Sequence, residues 1–338
     1  MCCRGWRVRE SDQQAGCRRE PAFQLLRPGA DVLAEVSERP VTLRLRLNVM
    51  EKSMSAPNSL LIVGCGDVGS RLGQRMADAG WRVLGLRRNV AALPAGIEPV
   101  AGDLHADPCP ADWPRQPLDY LVYCTAATQH DEAGYRAAYV DGLRRTLGWL
   151  ALHGQRPRRI LFASSSGVYG QQDGEWIDED SPAEAQSYSA LIMREAERVA
   201  LDSGLPATAV RLTGLYGPGR QWLLSQVRDG YRVSETPPLY GNRIHVDDAA
   251  GLLATLLQAD AAGTPLADLY LGVDDEPAAL HEVVAWLRER LGVSHWSDEQ
   301  RVRRAGSKRC SNARARALGW APQYPSYREG YATMLQDA

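Results

Sequence analysis

Long apolar runs are missing from this chain. None of its 338 residues lies in a stretch that approaches the ~20 apolar residues needed to cross a bilayer, which excludes a membrane-spanning helix. An excess of charge is missing too. With 39 basic and 41 acidic residues the formal net charge is −2, so nothing pulls the whole molecule toward nucleic acid or an anionic surface. Any polyanion has to meet a local basic site. Cysteine is sparse: the seven are odd in number, show no paired CxxC spacing and follow no secretory leader, which excludes a disulfide framework and fits a reduced, cytoplasmic compartment. What remains, 44% hydrophobic and 24% charged, is the composition of a soluble globular protein long enough for one large α/β unit or two ordinary domains.

Residues 1–57 lack any sustained period of 2 or 3.6, and seven acidic residues lie among their ten basic ones, where a transit peptide would be acid-poor. The segment reads as a disordered or spurious extension, with the functional start expected at Met50 or Met54. Internal repeats and low-complexity tracts are absent.

The stretch SLLIVGCGDVGSRLGQRMADAGWRVLGLRRN predicts a buried strand at 60–63, a glycine turn, a helix near 67–79 and a second strand near 81–86. Gly64, Gly66 and Gly69 spell G-x-G-x-x-G: one allows the tight turn, one lets backbone approach a pyrophosphate, and one permits close packing of the helix. The triplet alone is weak evidence; between a strand and a helix it marks a dinucleotide site. An NAD site usually places Asp or Glu about 20 residues on. Here Arg87 and Arg88 stand at the strand end, and no acid follows Asp78 before Glu98. A guanidinium there suits the 2′-phosphate of NADP, so NADP is expected ahead of NAD. Further strands are expected to end at Gly102-Asp103-Leu104, to lie within LDYLVYCTAAT and to open RRILFASSSGVYG. That alternation of strand and helix gives an α/β, doubly wound parallel sheet. Cys65 and Cys124 read as small packed side chains.

Five marks in order, GCGDVG, GDL, SSSGVYG, RLTGLYGPGR and NRIHVDD, resemble the short-chain dehydrogenase/reductase superfamily, specifically its NAD-dependent epimerase/dehydratase branch, from about residue 59 to the C-terminus. The resemblance implies a Rossmann-type NAD(P)-binding domain over 58–212, with segments around 240–275 returning to it, and a smaller substrate-binding portion over 213–338. Asp67, Val68, Asp103, Leu104 and Ala126 join the glycines and arginines as the implied cofactor contacts. Ser165, four residues before Tyr169, matches the family's serine that hydrogen-bonds the reacting oxygen. The family's base is a tyrosine followed four residues later by lysine. Counted from Tyr188, the lysine position is Ile192. Anchored instead on Glu197, the base position is Ser189 and the lysine position Met193. Either register lacks the cation that would favour a phenolate, so Tyr188 reads as a packed or half-exposed tyrosine at a helix entry. Ser166-Gly167 stands where the family's dehydratases carry Asp-Glu, which argues against dehydration.

The resemblance also places Arg211 and the 215–220 loop, with Arg220, near the cleft floor. His245, beside a carboxylate in NRIHVDD, is a further substrate-binding candidate, with capping and loop fixing as its alternative role. Asp247 or Asp248 is expected to cap the helix that follows. His245 has no second ligand at metal-binding spacing, so no metal is expected. Seven basic residues lie between 301 and 316, of which Lys308 and Arg309 are candidates for substrate phosphates. No stacking aromatics lie among them, so nucleic acid is not expected. The resulting expectation is an NAD(P)-dependent oxidoreductase or epimerase-like protein acting on a sugar nucleotide or similar polar carbonyl or hydroxyl compound. The alternative is an NADP-binding regulatory or scaffold protein with little or no catalysis. The helices flanking the central strands offer a face for a homodimer.

Overall fold

The first strand, β1 (Ser59–Val63), is buried along its whole length, as an apolar run in the middle of a parallel sheet must be. In this computed structural model, which describes residues 56–106, 108–297 and 306–336, β1 is an interior strand of a seven-stranded sheet. The expected N-terminal extension and Arg301, Arg303 and Arg304 of the basic run lie outside the described residues. β2 (Arg82–Arg87) and β3 (Ile97–Ala101) follow on one side of β1, and β4 (Tyr120–Tyr123), β5 (Arg159–Ser165) and β7 (Ala207–Leu212) on the other. The short β6 (Glu175–Ile177) lies between β5 and β7 in sequence and outside this sheet. With β11 (Leu269–Gly272) at the far edge, the order is β11-β7-β5-β4-β1-β2-β3, and every neighbouring pair is parallel. Edge position shows in β3, where only Ile97 and Val100 are buried. The third strand closes at Ala101, earlier than expected. Beyond it Asp103 accepts the His105 amide and turns the chain, and Gly102 packs where a Cβ would meet Pro110 at 2.7 Å.

Two helical layers cover the sheet because alternate residues of β1 face opposite ways. Leu60 and Ile62 pack with Leu72 and Met76 of α1 (Asp67–Asp78), whose buried positions recur four residues apart. Leu61 and Val63 pack toward Leu143 and Trp149 of α2 (Gly142–Leu152) and Ile192 and Ala196 of α3 (Tyr188–Leu201). Each such side chain contributes about 1.5–3 kcal/mol on full burial. Ser187 starts α3 by accepting the Ala190 amide at 3.3 Å.

After β7 the chain builds a smaller layer. β8 (Gly214–Tyr216) leads to α4 (Trp222–Arg228). β9 (Tyr240–Gly241) and β10 (Arg243–His245) lead to α5 (Val246–Ala261), whose Leu252, Leu253 and Leu256 join the core on the α1 side. β8 pairs with β10, β9 with β12 (Ala278–Ala279), and β6 with β13 (Lys308–Cys310). α4, α6 (Leu280–Leu291) and α7 (Tyr327–Gln336) enclose a separate core containing Leu224, Val227, Val283, Leu287 and Tyr327. Strand order reverses between β1 and β4, and that switch point opens a crevice at the strands' carboxyl ends.

Candidate active site

A cavity of about 530 Å³ fills the crevice. Gly64, Gly66, Asp67 and Val68 form its floor, at the junction of β1 and α1. Arg87 and Arg88 close the end at β2, and Asp103, Leu104 and Ala126 form the side walls. Gly64 has φ +80°, and a Cβ there would lie 2.5 Å from Thr125 Cγ2 and 2.6 Å from its Cα, so no other residue fits. A Cβ on Gly66 would meet only the Gly64 carbonyl, at 3.9 Å, and would otherwise project into open space. Gly66 also precedes α1 without a side-chain cap, leaving the helix's first amides and its positive dipole end for an anion. Gly69 lies outside the cavity: a Cβ there would sit 3.0 Å from Ile62 Cγ2 and 3.1 Å from Cys124 Sγ, so its smallness serves helix-to-sheet packing. These residues fit a dinucleotide, with backbone where the pyrophosphate needs close approach. Arg87 makes one long contact, to the Ala92 carbonyl at 3.4 Å, and Arg88 forms no ion pair among the described residues.

Ser165 and Thr213 line this cavity and also a second one, of about 750 Å³, that opens beyond them. Ser165 Oγ accepts the Gly167 amide at 3.1 Å, which fixes the oxygen and leaves its proton to donate into the cleft. Met193 lines the first cavity and Ser189 the second, so the register anchored on Glu197 is the one whose residues reach the cleft. Tyr188 lines neither. It is 39% exposed, packs edge-on against Tyr135 and donates to the His130 carbonyl at 2.7 Å. Ile192 is buried in the core beneath the helix.

Arg211 is not a cleft residue. Its Nε and Nη2 each donate to buried Glu197 at 2.8 Å, and its guanidinium lies 4.7 Å from the Tyr169 ring centre. Glu197 also accepts from Ser164 Oγ at 2.5 Å. The pair ties β7 to α3 directly behind Ser165, so its role is to fix the site's backbone. His245 also lies outside the cavities, 1% exposed between the rings of Tyr216 and Tyr324. Burial pushes its pKa down, and the neutral ring accepts the Asp247 amide through Nδ1 at 3.2 Å. The cap of α5 is therefore His245 and neither expected aspartate. Asp247 is drawn to Arg71 at 2.6 Å, and Asp248 accepts the Gln323 and Tyr324 amides.

Arg220 pairs with Asp67 at 3.1 Å and stands between the first cavity and a third, of about 340 Å³. Lys308 lines the second cavity, where burial lowers its pKa and Nζ donates to the Tyr169 carbonyl at 3.0 Å. Arg309 donates to the Gly174 carbonyl and lies between Trp176 and Tyr240, which removes it from any substrate phosphate. Among the described residues no cluster of three His, Cys, Asp or Glu side chains gathers to hold a metal ion, and no helix is long and apolar enough to cross a membrane. Burial pushes the thiols of Cys65 and Cys124 up, as packed side chains require. Thr213 and Leu215 lie inside RLTGLYGPGR, but that motif pointed to Arg211 and Arg220 and not to them, and most residues of the third cavity lie outside any motif.

The model of the NAD dependent epimerase/dehydratase family matches residues 60–272, which contain all seven strands of the main sheet apart from Ser59. A 3-diazoavenalumate denitrifying reductase from Streptomyces sp. is 29% identical over 204 residues, 51% of this chain and 64% of that protein, so the match spans less than two thirds of the reductase. Among solved structures, a putative NAD-dependent epimerase/dehydratase from Methylobacillus flagellatus is 35% identical, with a TM-score of 0.69 over 84% of this chain and 99% of that one. MoeE5 in complex with UDP-glucuronic acid and NAD shares the fold at 21% identity, with a TM-score of 0.66 over 82% of this chain and 98% of that one.

Proposed function

The chain belongs to the NAD-dependent epimerase/dehydratase family, and from that premise we propose that it is an oxidoreductase that prefers NADP(H) and acts on a carbonyl or hydroxyl group of a polar small molecule, sugar nucleotides included. One observation carries the reading: the dinucleotide cradle and the second cavity share a wall at Ser165 and Thr213, so a hydroxyl donor stands where cofactor and substrate would meet.

When bound, the cofactor supplies or accepts a hydride. Gly64, Gly66 and the first amides of α1 hold the pyrophosphate. Arg87 and Arg88 receive the 2′-phosphate, which an acid at the end of β2 would repel. Ser165 donates a hydrogen bond to the reacting oxygen and stabilises the negative charge that develops there. Met193, at the family's lysine position, has no charge to give. Lys308 brings an ammonium to the same cleft from β13, and its lowered pKa makes it the better acid. Ser166 and Gly167 lack the carboxyls that water elimination needs. A reductase among the relatives supports redox chemistry over epimerisation.

Met193 also favours a second reading, a dinucleotide-binding protein that turns over little. A titration with NADPH followed by a screen of carbonyl compounds, read by the loss of NADPH absorbance, separates the two. Binding with turnover supports the enzyme, and tight binding with no turnover supports the regulator.

A further inference from the structure

The third cavity is lined by Tyr216, Trp222, Tyr231, Tyr240 and Tyr331, with four leucines among them. These residues come from β8, α4, β9, α7 and the loop after α4. The rings already engage one another: Tyr216 and Tyr331 have centroids 4.7 Å apart, and Trp222 meets Tyr231 edge-on at 6.2 Å. Walls of this kind accept another flat ring at similar spacing. They offer few partners for the hydroxyls of a sugar.

Into this apolar chamber faces Arg243, only 4% exposed. Of its five N–H donors one is engaged among the described residues, Nη1 with the Gly241 carbonyl at 2.9 Å. Gly241 leaves the guanidinium open to the chamber, since a Cβ there would lie 3.0 Å from Nη2. No carboxylate among the described residues forms an ion pair with it. Asp274 is its near acidic neighbour, but burial pushes that carboxyl up to about 8 even though Arg243 pulls it down, so at neutral pH it is largely protonated. A buried, unneutralised guanidinium is costly unless an anion reaches it. Leu215 and Arg220 line both this chamber and the cofactor cavity, so a ligand seated here extends toward Ser165. At about 340 Å³ the chamber lies near the small end of the ~300–1,000 Å³ range of ligand sites, room for a ring system and a short substituent.

We propose that this chamber binds the non-reacting end of the substrate, a planar aromatic carboxylate, with its ring among Tyr216, Trp222, Tyr231 and Tyr331 and its carboxylate on Arg243. The proposal rests on the redox reading above for the cofactor next door, and it narrows the substrate from polar carbonyl compounds in general to aromatic acids carrying the reacting group.

The test uses the full chain saturated with NADPH and three probes in calorimetric titrations: 2-naphthoate, its neutral isostere 2-naphthamide, and UDP-glucose. Naphthoate is expected to bind about tenfold or more tightly than the amide, as a charge-assisted bond to a buried guanidinium requires. Arg243→Gln is expected to bring the two to near equality. Trp222→Ala, at a residue 45% exposed and so tolerant of change, is expected to weaken both aromatic probes. If Arg243→Gln does not fold, the naphthoate-to-amide ratio in the unmodified chain and the Trp222→Ala titration decide. Absence of naphthoate binding, equal affinity for acid and amide, or UDP-glucose binding that excludes naphthoate and is weakened by Trp222→Ala would each overturn the proposal. Failure of NADPH to bind refutes the redox reading instead, and naphthoate titrated without cofactor then still tests the chamber.

Discussion

Tyr188→Phe removes one hydroxyl whose hydrogen bond, to the His130 carbonyl at 2.7 Å, lies on a side chain 39% exposed. A bond of this kind contributes about 0.5–1.5 kcal/mol, toward the low end where water can replace the partner. The ring keeps its edge-on contact with Tyr135 at 5.6 Å, so the melting temperature is expected to fall by no more than about 2–4 °C. Turnover is expected to fall less than ~10-fold, because Tyr188 lines neither cavity, whereas a general acid or base contributes about 10²–10⁴. Ser165→Ala removes a donor from the wall shared by the first and second cavities, and under the proposed reaction the loss of one such donor costs about 10²–10³ in kcat. The assay is kcat/KM for both variants on a substrate found by NADPH oxidation, after NADPH affinity has been shown to be unchanged. A drop of ~100-fold or more in Tyr188→Phe with cofactor binding intact would refute the reasoning. The phenol would then reach the reacting oxygen in a way this cleft geometry does not allow.

Lys308→Met is expected to reduce kcat more than Tyr188→Phe does while leaving NADPH affinity unchanged; equal, small effects would remove Lys308 from the chemistry. Gly64→Ala forces a Cβ to 2.5 Å from Thr125 at φ +80° and is expected to destabilise the fold by about 1–3 kcal/mol and abolish tight NADPH binding, measured by denaturant unfolding and titration. Glu197→Gln leaves buried Arg211 without its charged partner and is expected to cost about 3–5 kcal/mol; a loss within ~0.5 kcal/mol would show that the pair does not hold β7 to α3. Asp274 holds a proton in the folded protein up to about 8, through burial and then the nearby Asp275 and Glu276 carboxylates, with Arg243 opposing, while the unfolded chain releases it near ~3.9. Between those values the folded state binds more protons, so this group's contribution to stability falls as pH rises. Asp274→Asn is therefore expected to lose less stability than the unmodified protein between pH 5 and pH 8, as followed by thermal unfolding.

The half of the site built from β1, β2 and α1 is legible in the sequence because it is local. A strand, a glycine triplet and two arginines lie within 30 residues, and each has a backbone or charge requirement that few residue types meet. Arg211 and His245 illustrate what is not legible. Both sit in motifs that resemble cleft residues, yet Arg211 is claimed by Glu197, fourteen positions earlier, and His245 by rings from residues 216 and 324. Partners of that kind come from packing and leave no spacing to read. The tyrosine register stays ambiguous in sequence because a one-residue shift on a helix turns a side chain by about 100°. Only the cavity walls show that Ser189 and Met193 face the cleft. The aromatic chamber is the least visible feature, since its residues come from segments scattered between 214 and 331 and no helical or strand period links those segments.

The most direct measurement for the central claim is a calorimetric titration of the full chain with NADPH and with NADH, repeated on Arg87→Asp and Arg88→Asp. A charge-assisted fork to the 2′-phosphate contributes about 1.5–3 kcal/mol, so NADPH is expected to bind about 10- to 100-fold more tightly than NADH. Either aspartate variant is expected to erase or reverse that preference. Equal affinity for the two cofactors in the unmodified protein, or a preference that survives both substitutions, would contradict the account.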